Sequence, residues 1–241
     1  MQRKKDPRWR RVDPDVIENI RAMEILRTNG EAPSSMKMKV QDAWGPAFGQ
    51  KGRLQKFDES YTKKGKCSPF DTINQKLLSG KCRVMVLGPA DGNDLVALHG
   101  GLVESFNGEK VGSDLEIDTF GLTNRLSPEA QAIVHHDYSM PGGDPTPFEL
   151  WEDTSLIGKY DVVISQLGVG FYTQNPTAAL AKAATLLSDG GKAFIQVGPT
   201  QKSNMKEVLE KLWDNREPNK QFVLDPIEQG RSRWYIIHRN K

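Results

Sequence analysis

The sequence predicts an α/β protein, a doubly wound, mostly parallel seven-stranded sheet with helices on both faces and a C-terminal antiparallel hairpin. Three observations carry that expectation. From Cys82 onward short apolar runs alternate with stretches of helical periodicity, the pattern of repeated strand–helix–strand units. The first of these runs, 83–87, is apolar at almost every position, as a strand buried on both faces should be. The chain finishes with two strand-like runs, 222–227 and 234–238, around Gly230, which read as an antiparallel pair.

Taken in order, residues 1–12 read as a basic tail. Asp13 then offers an N-cap and Pro14 a first helical position, and Asn29-Gly30 stops the helix. Residues 31–66 are rich in Gly, Pro, Lys and Ser with scattered aromatics. They read as a long lid-like loop with at most one short helix. Ser68-Pro69 caps a helix carrying Phe70, Ile73, Leu77 and Leu78. The domain division that follows is 1–66, a basic tail, helix and lid-like loop, and 67–241, the α/β domain. Strands are predicted over 83–87, 115–120, 133–138, 160–167 and 192–197. Between them the spacing predicts helices over 94–106 and from Pro176 to a C-cap at Gly190-Gly191, and a further amphipathic helix over 203–215.

With 241 residues, 37% of them apolar, the chain can bury a sizeable core. It has no run of about 18 apolar residues, so no membrane span is expected. The opening MQRKKDPRWRR lacks the apolar stretch of a signal peptide. Two cysteines, Cys67 and Cys82, form neither a disulfide framework nor a metal spacing. A reduced compartment is implied, cytoplasmic by preference and with the nucleus still open. The net charge of +2 conceals an asymmetry: residues 1–83 hold 19 Lys and Arg against 10 Asp and Glu, and the remainder 14 against 21. A basic arm beside an acidic body follows, and a solubilising tail is the plainer alternative.

The stretch VMVLGPADGNDL, Val84 to Leu95, joins an apolar run to a helix through a glycine turn. It lacks the G-x-G-x-x-G of a dinucleotide site and the Gly-Lys-Ser/Thr of a phosphate loop. Asp91 and Asp94 would also repel a pyrophosphate. A guest with a cationic group suits the turn better.

On these residues the chain resembles the class I (Rossmann-like) S-adenosylmethionine-dependent methyltransferases. Gly88 and Gly92 fall on the first and last glycines of that family's first motif. Ala90 replaces the middle glycine, Pro89 lies between, and Val86 stands where the usual acid would be. The resemblance implies S-adenosylmethionine as cofactor and S-adenosylhomocysteine as product. It implies that Asp91 or Asp94 supplies the missing negative charge. Asp118, with Asp114 as alternative, would hold the ribose. Asp137 and Tyr138 would lie at the adenine, and Ser165, Gln166 and Leu167 would line the methyl-transfer face. Gln166 and Tyr172 are the catalytic candidates. In each case a structural role competes: tight turn, strand-end cap or core.

Ser165-Gln166-Leu167-Gly168 lacks the Asn/Asp-Pro-Pro-aromatic signature of enzymes that methylate exocyclic amines. Ribose 2′-O-methylation in this family uses a Lys-Asp-Lys-Glu set. Only Lys76 is offered here, with Gln166, Gln196 and Arg233-Trp234 at the other places. His135-His136-Asp137 has metal-ligand residue types, but alternation along a strand sends neighbours to opposite faces, so no metal is expected. His99-Gly100-Gly101 reads as helix interior. Three functions remain: a methyltransferase acting on RNA, one acting on a small molecule or protein, and an inactive methyltransferase-fold binding module. Arg3, Lys4, Lys5, Arg8, Arg10 and Arg11, with Trp9 for stacking, favour RNA as partner. Oligomeric state is open.

Overall fold

The computed structural model describes residues 53–89, 91–106, 108, 111–121, 126–139, 148–166, 176–197, 222–229 and 232–240. The predicted helices at 13–30 and 203–215, the basic residues Arg3 to Arg11 with Trp9, and Ala90 and Tyr172 lie outside these.

The helices are α1 (Arg53–Thr62), α2 (Pro69–Ser79), α3 (Asn93–Ser105), α4 (Val111–Asp114), α5 (Pro128–Gln131) and α6 (Pro176–Thr185). The strands are β1 (Cys82–Leu87), β2 (Leu115–Phe120), β3 (His136–Asp137), β4 (Tyr160–Ser165), β5 (Leu187–Val197), β6 (Phe222–Gln229) and β7 (Ser232–Arg239). They form one seven-stranded sheet in the order β3-β2-β1-β4-β5-β7-β6. The first five strands run parallel, and β7 lies antiparallel between β5 and β6. This is the class I methyltransferase-like fold. The order reverses between β1 and β4, and such a switch point opens a crevice at the carboxyl ends of the strands.

Alternation along the strands divides the core in two. Val84, Val86, Val162, Ile164, Phe194 and Ile236 face α1, α2 and α3, meeting Phe57, Tyr61, Ile73, Leu77, Leu95 and Leu102. Met85, Leu87, Val163, Ala193, Ile195 and Ile237 face the other way, toward Phe148, Trp151, Leu156 and the alanines of α6. The near-continuous apolar runs follow from burial on both faces.

Local signals fix several ends. Ser68 caps α2, its Oγ accepting from the Asp71 N–H at 3.1 Å, an arrangement worth about 1 kcal/mol. Gly101 lies where α3 meets α2. A Cβ there would come within 3.3 Å of the Phe70 ring, which explains a glycine in a helix interior.

Four expectations need correction. Within 31–66, read as a loop with one short helix at most and no core element, residues 53–62 form α1, whose Phe57 and Tyr61 are fully buried. Tyr61 packs edge-on to Phe57 and to Phe194 of the sheet, each at 5.1 Å. The aromatics that looked scattered sit four residues apart, on one helix face. Leu78, grouped with the apolar residues that this helix carries, is exposed. The third strand shrinks to His136–Asp137. Finally, Gly190-Gly191 is no helix C-cap, because α6 ends at Thr185 and both glycines belong to β5. There the register on β4 shifts from Tyr160–Leu187 to Val162–Lys192. A Cβ on Gly191 would lie 2.8 Å from the Ser188 carbonyl and 2.9 Å from that of Tyr160. The glycine pair serves a bulge.

Candidate functional site at the carboxyl ends of the strands

The glycine turn leaves β1 at the switch point. Gly88 and Gly92 both have left-handed φ, 77° and 79°, which only glycine adopts freely. The Gly88 N–H donates to the Phe120 carbonyl at 2.7 Å, tying the turn to the end of β2. The Gly92 N–H donates to the Pro89 carbonyl at 2.9 Å, and Pro89 is buried. Gly92 also packs against α5: a Cβ on it would lie 2.4 Å from the Ala130 Cβ. The last glycine of the motif is therefore required by packing, whatever binds nearby.

The acids of the turn are engaged locally. Asp91 accepts from the Asn93 backbone N–H at 3.2 Å and from its side-chain amide at 2.8 Å. Its carbonyl takes the Ser127 N–H at 2.8 Å. Its carboxylate thus caps the start of α3, where negative charge is favoured. Asp94 lies in the first turn of α3, half-buried.

Asp114 ends α4, just before β2 begins, and Leu115 pairs with Cys82 at the start of β1. The glycine turn is six residues further along β1, roughly 20 Å away. Asp114 cannot serve a ribose there, and that assignment is corrected.

Asp118 is fully buried and pairs with Met85, two residues short of the strand end. Its Oδ2 accepts from Arg83 Nη2 at 2.8 Å, Arg83 Nε at 3.2 Å and the Tyr160 hydroxyl at 2.7 Å. The Arg83 guanidinium also stands 5.0 Å from the centre of the Tyr160 ring. Partial burial opposes the Arg83 charge, but the hydrogen bond and charge of Asp118, with Tyr160 and Glu116, hold its pKa up. Burial, then the Asp118 hydrogen bond and charge, push the Tyr160 phenol well above its ordinary value. Asp118 is thus the hub of a buried charge network, and Phe120 and Gly121 occupy the end of β2. The sequence signal for this was an arginine inside the apolar run RVMVL beside an aspartate in LEID, two charges on neighbouring strands.

Asp137 pairs with Thr119, accepting from its hydroxyl at 2.9 Å and from the Ser139 N–H at 3.0 Å. This is a strand-end cap near the top of β2. Tyr138 packs 5.4 Å from Trp151, which stacks on Phe120 at 4.6 Å. Lys182 of α6 covers the Phe148 and Trp151 rings at 5.6 and 5.5 Å. Burial, and after it the charge of Asp118, raise the Tyr138 phenol.

Ser165, the last residue of β4, is fully buried, and among the described residues its Oγ has no hydrogen-bond partner. The same holds of Oε1 of Gln196, near the end of β5. Gln166 follows β4 directly, half-buried. All three lie at the carboxyl ends of their strands, but alternation puts Ser165 on the face of Val163 and Ile195 and Gln196 on the opposite face, with Phe194. Lys76 does not join them. It pairs with Asp161 at 3.0 Å, at the opposite end of β4, so its candidacy for a Lys-Asp-Lys-Glu set fails.

His135, His136 and Asp118 come together, where alternation had been expected to separate the ring-bearing neighbours. His135 precedes β3 and is not bound by strand alternation; its N–H donates to the Ile117 carbonyl at 2.7 Å. The two Nδ1 atoms are 2.7 Å apart. Residues 99–101 lie in α3 as read, and burial lowers the His99 pKa.

The strand order defines the fold as α/β, class I methyltransferase-like. Among solved structures the chain is similar to the CMeT domain of the citrinin polyketide synthase, at 14% identity and TM-score 0.46, covering 84% of this chain and 59% of that one. It is also similar to a TehB-like SAM-dependent methyltransferase from Corynebacterium glutamicum, at 13% identity and TM-score 0.45, covering 80% of this chain and 100% of that one. A third is an rRNA methylase from Streptococcus thermophilus, at 14% identity and TM-score 0.43, covering 72% and 97%. The chain spans 59% of the polyketide synthase domain's length. Such similarities concern the fold alone. No family model and no curated protein matches the chain. Among the described residues no helix is long and apolar enough to cross a membrane.

Proposed function

We propose that the chain binds S-adenosylmethionine at the carboxyl ends of β1 and β4 and transfers its methyl group, with RNA as the favoured acceptor. The observation that carries this reading is the position of the glycine turn, which opens α3 at the switch point of the 3-2-1-4-5-7-6 sheet. A helix N-terminus at such a crevice suits the carboxylate of a methionine tail. Ser165 and Gln166, at the end of β4, are the polar side chains that would face the reacting end. Methyl transfer from a sulfonium is an in-line displacement, and alignment supplies much of its rate. The basic residues Arg3 to Arg11 support RNA, and two free cysteines suit a reduced, cytoplasm-like compartment.

A second reading, an inactive binding module, draws on one specific observation. The acid assigned to the ribose, Asp118, is held by Arg83 and Tyr160, and Phe120 and Gly121 close β2 instead. Calorimetric titration of the full chain with S-adenosylmethionine and S-adenosylhomocysteine decides between them, followed by transfer of labelled methyl to RNA. Micromolar binding with label in RNA supports the first. Binding with label only in a small molecule or protein moves the acceptor. Absence of binding favours the module.

A further inference from the structure

We propose that Asp118, His135 and His136 form a binding site for one divalent first-row transition metal of the zinc type, at the β3 edge of the sheet. The donor set is two imidazole nitrogens and one carboxylate oxygen, and each ligand atom lies within 4.8 Å of the other two. That composition suits zinc and its neighbours and discriminates against magnesium and calcium, which prefer all-oxygen shells.

Two observations beyond the clustering point to a cation. Asp118 is fully buried, and among the described residues its Oδ1 has no hydrogen-bond partner. A buried carboxylate oxygen left without a donor is costly. That oxygen is the one aimed at the histidines, 3.4 Å from His135 Nδ1 and 3.9 Å from His136 Nδ1. The second observation is how the carboxylate is held. Arg83 and Tyr160 take all the described hydrogen bonds of Oδ2, which fixes the group with Oδ1 toward the rings. Orienting partners of this kind accompany metal-ligating carboxylates.

Bonds of about 2.1 Å at a tetrahedral angle place ligand atoms about 3.4 Å apart. The His135–Asp118 separation already has that value. The Nδ1 pair, at 2.7 Å, must open and His136 must approach Asp118 slightly. Both rings are about half exposed, His136 on an edge strand two residues long and His135 just before it, so apart from the stacking of His136 on Tyr138 at 5.8 Å these shifts meet little packing. The charge balance is suitable. Arg83 is matched by Glu116, 3.5 Å from its Nε, and by Asp118, leaving one net negative charge for a dication. Three protein ligands leave a coordination position open at the solvent side.

The chain has four histidines, 99, 135, 136 and 238, so the test can cover them all. The full-length protein, stripped with a chelator, is titrated with Co2+ for visible d–d absorption, and then with Zn2+ in competition. One equivalent is expected, with four- or five-coordinate cobalt bands. His135→Ala and His136→Ala should each weaken binding by about 100-fold, and His99→Ala and His238→Ala should leave it unchanged. The altered rings are exposed, so both variants should keep the parent's circular dichroism and melting point. Absence of cobalt bands at millimolar metal overturns the proposal. Binding that persists in both His135→Ala and His136→Ala, or that follows His99 or His238, overturns it as well.

Discussion

Replacing Gly92 by alanine separates the two reasons for a glycine at the end of the β1 turn. The residue has φ of 79°, and a side chain in the left-handed region costs about 1–2 kcal/mol. Its Cβ would also lie 2.4 Å from the Ala130 Cβ and 3.1 Å from Leu126 Cδ2. Neither is the free end of a long flexible side chain, so α5 or the turn must shift, and overpacking of this kind costs about 1–3 kcal/mol. Together Gly92→Ala should lose roughly 2–5 kcal/mol, a fall of roughly 5–15 °C in melting temperature for a chain of this size. Gly108 is the internal control. It has nearly the same φ, 78°, with nothing within 4 Å of its Cβ, so Gly108→Ala should lose only about 1–2 kcal/mol. Thermal melts by circular dichroism, without ligand, measure both. If Gly92→Ala melts with Gly108→Ala, the turn is not packed on α5, and the argument that packing alone demands this glycine is refuted.

Other perturbations test the rest of the framework. Phe57→Ala should cost about 3–5 kcal/mol by urea denaturation, because the ring is fully buried between α1 and the sheet; a loss below about 1 kcal/mol would return residues 53–62 to a loop. Asp118→Ala should cost about 3–5 kcal/mol, since it leaves the Arg83 guanidinium and the Tyr160 hydroxyl without their shared acceptor; a neutral result would dissolve the network. A thiol reagent should label half-buried Cys67 in the native protein and reach Cys82 only on unfolding. Burial, then the charge of Asp161 against that of Lys76, pushes the Cys82 thiol from 9.0 to about 12. The folded state therefore holds that proton more tightly than the unfolded one, and its contribution to stability is complete below about pH 9 and fades between about 9 and 12. Across that window the wild type should lose up to about 4 kcal/mol more than Cys82→Ala, and parallel curves would contradict it.

The central strands β1 and β4 were legible because they are apolar on both faces and bounded by turn residues. The start of the fourth strand at Tyr160 could be read directly from that pattern, whereas Leu115–Phe120, with Glu116, Asp118 and Thr119 among its six residues, shows it only in part. The β3 edge was harder: two paired residues carry almost no pattern, and His135 escapes strand alternation by standing outside the ladder. The α6–β5 junction misled for a related reason. Gly-Gly after an alanine-rich helix looks like a cap, and only the carbonyls of Tyr160 and Ser188 make it a bulge.

For the site, the sequence by itself determined the glycine turn, its place between an apolar strand and a helix, and its unsuitability for phosphate. Those are properties of consecutive residues, set by backbone freedom and local charge. What only the tertiary structure decided is where each carboxylate points. Asp114 falls at the wrong end of β2, Asp91 turns back on its own helix, and Asp118 is drawn inward by an arginine 35 positions earlier and a tyrosine 42 positions later. A buried charge is governed by whichever opposite charge or donor the fold brings beside it. Distance along the chain carries no record of that meeting.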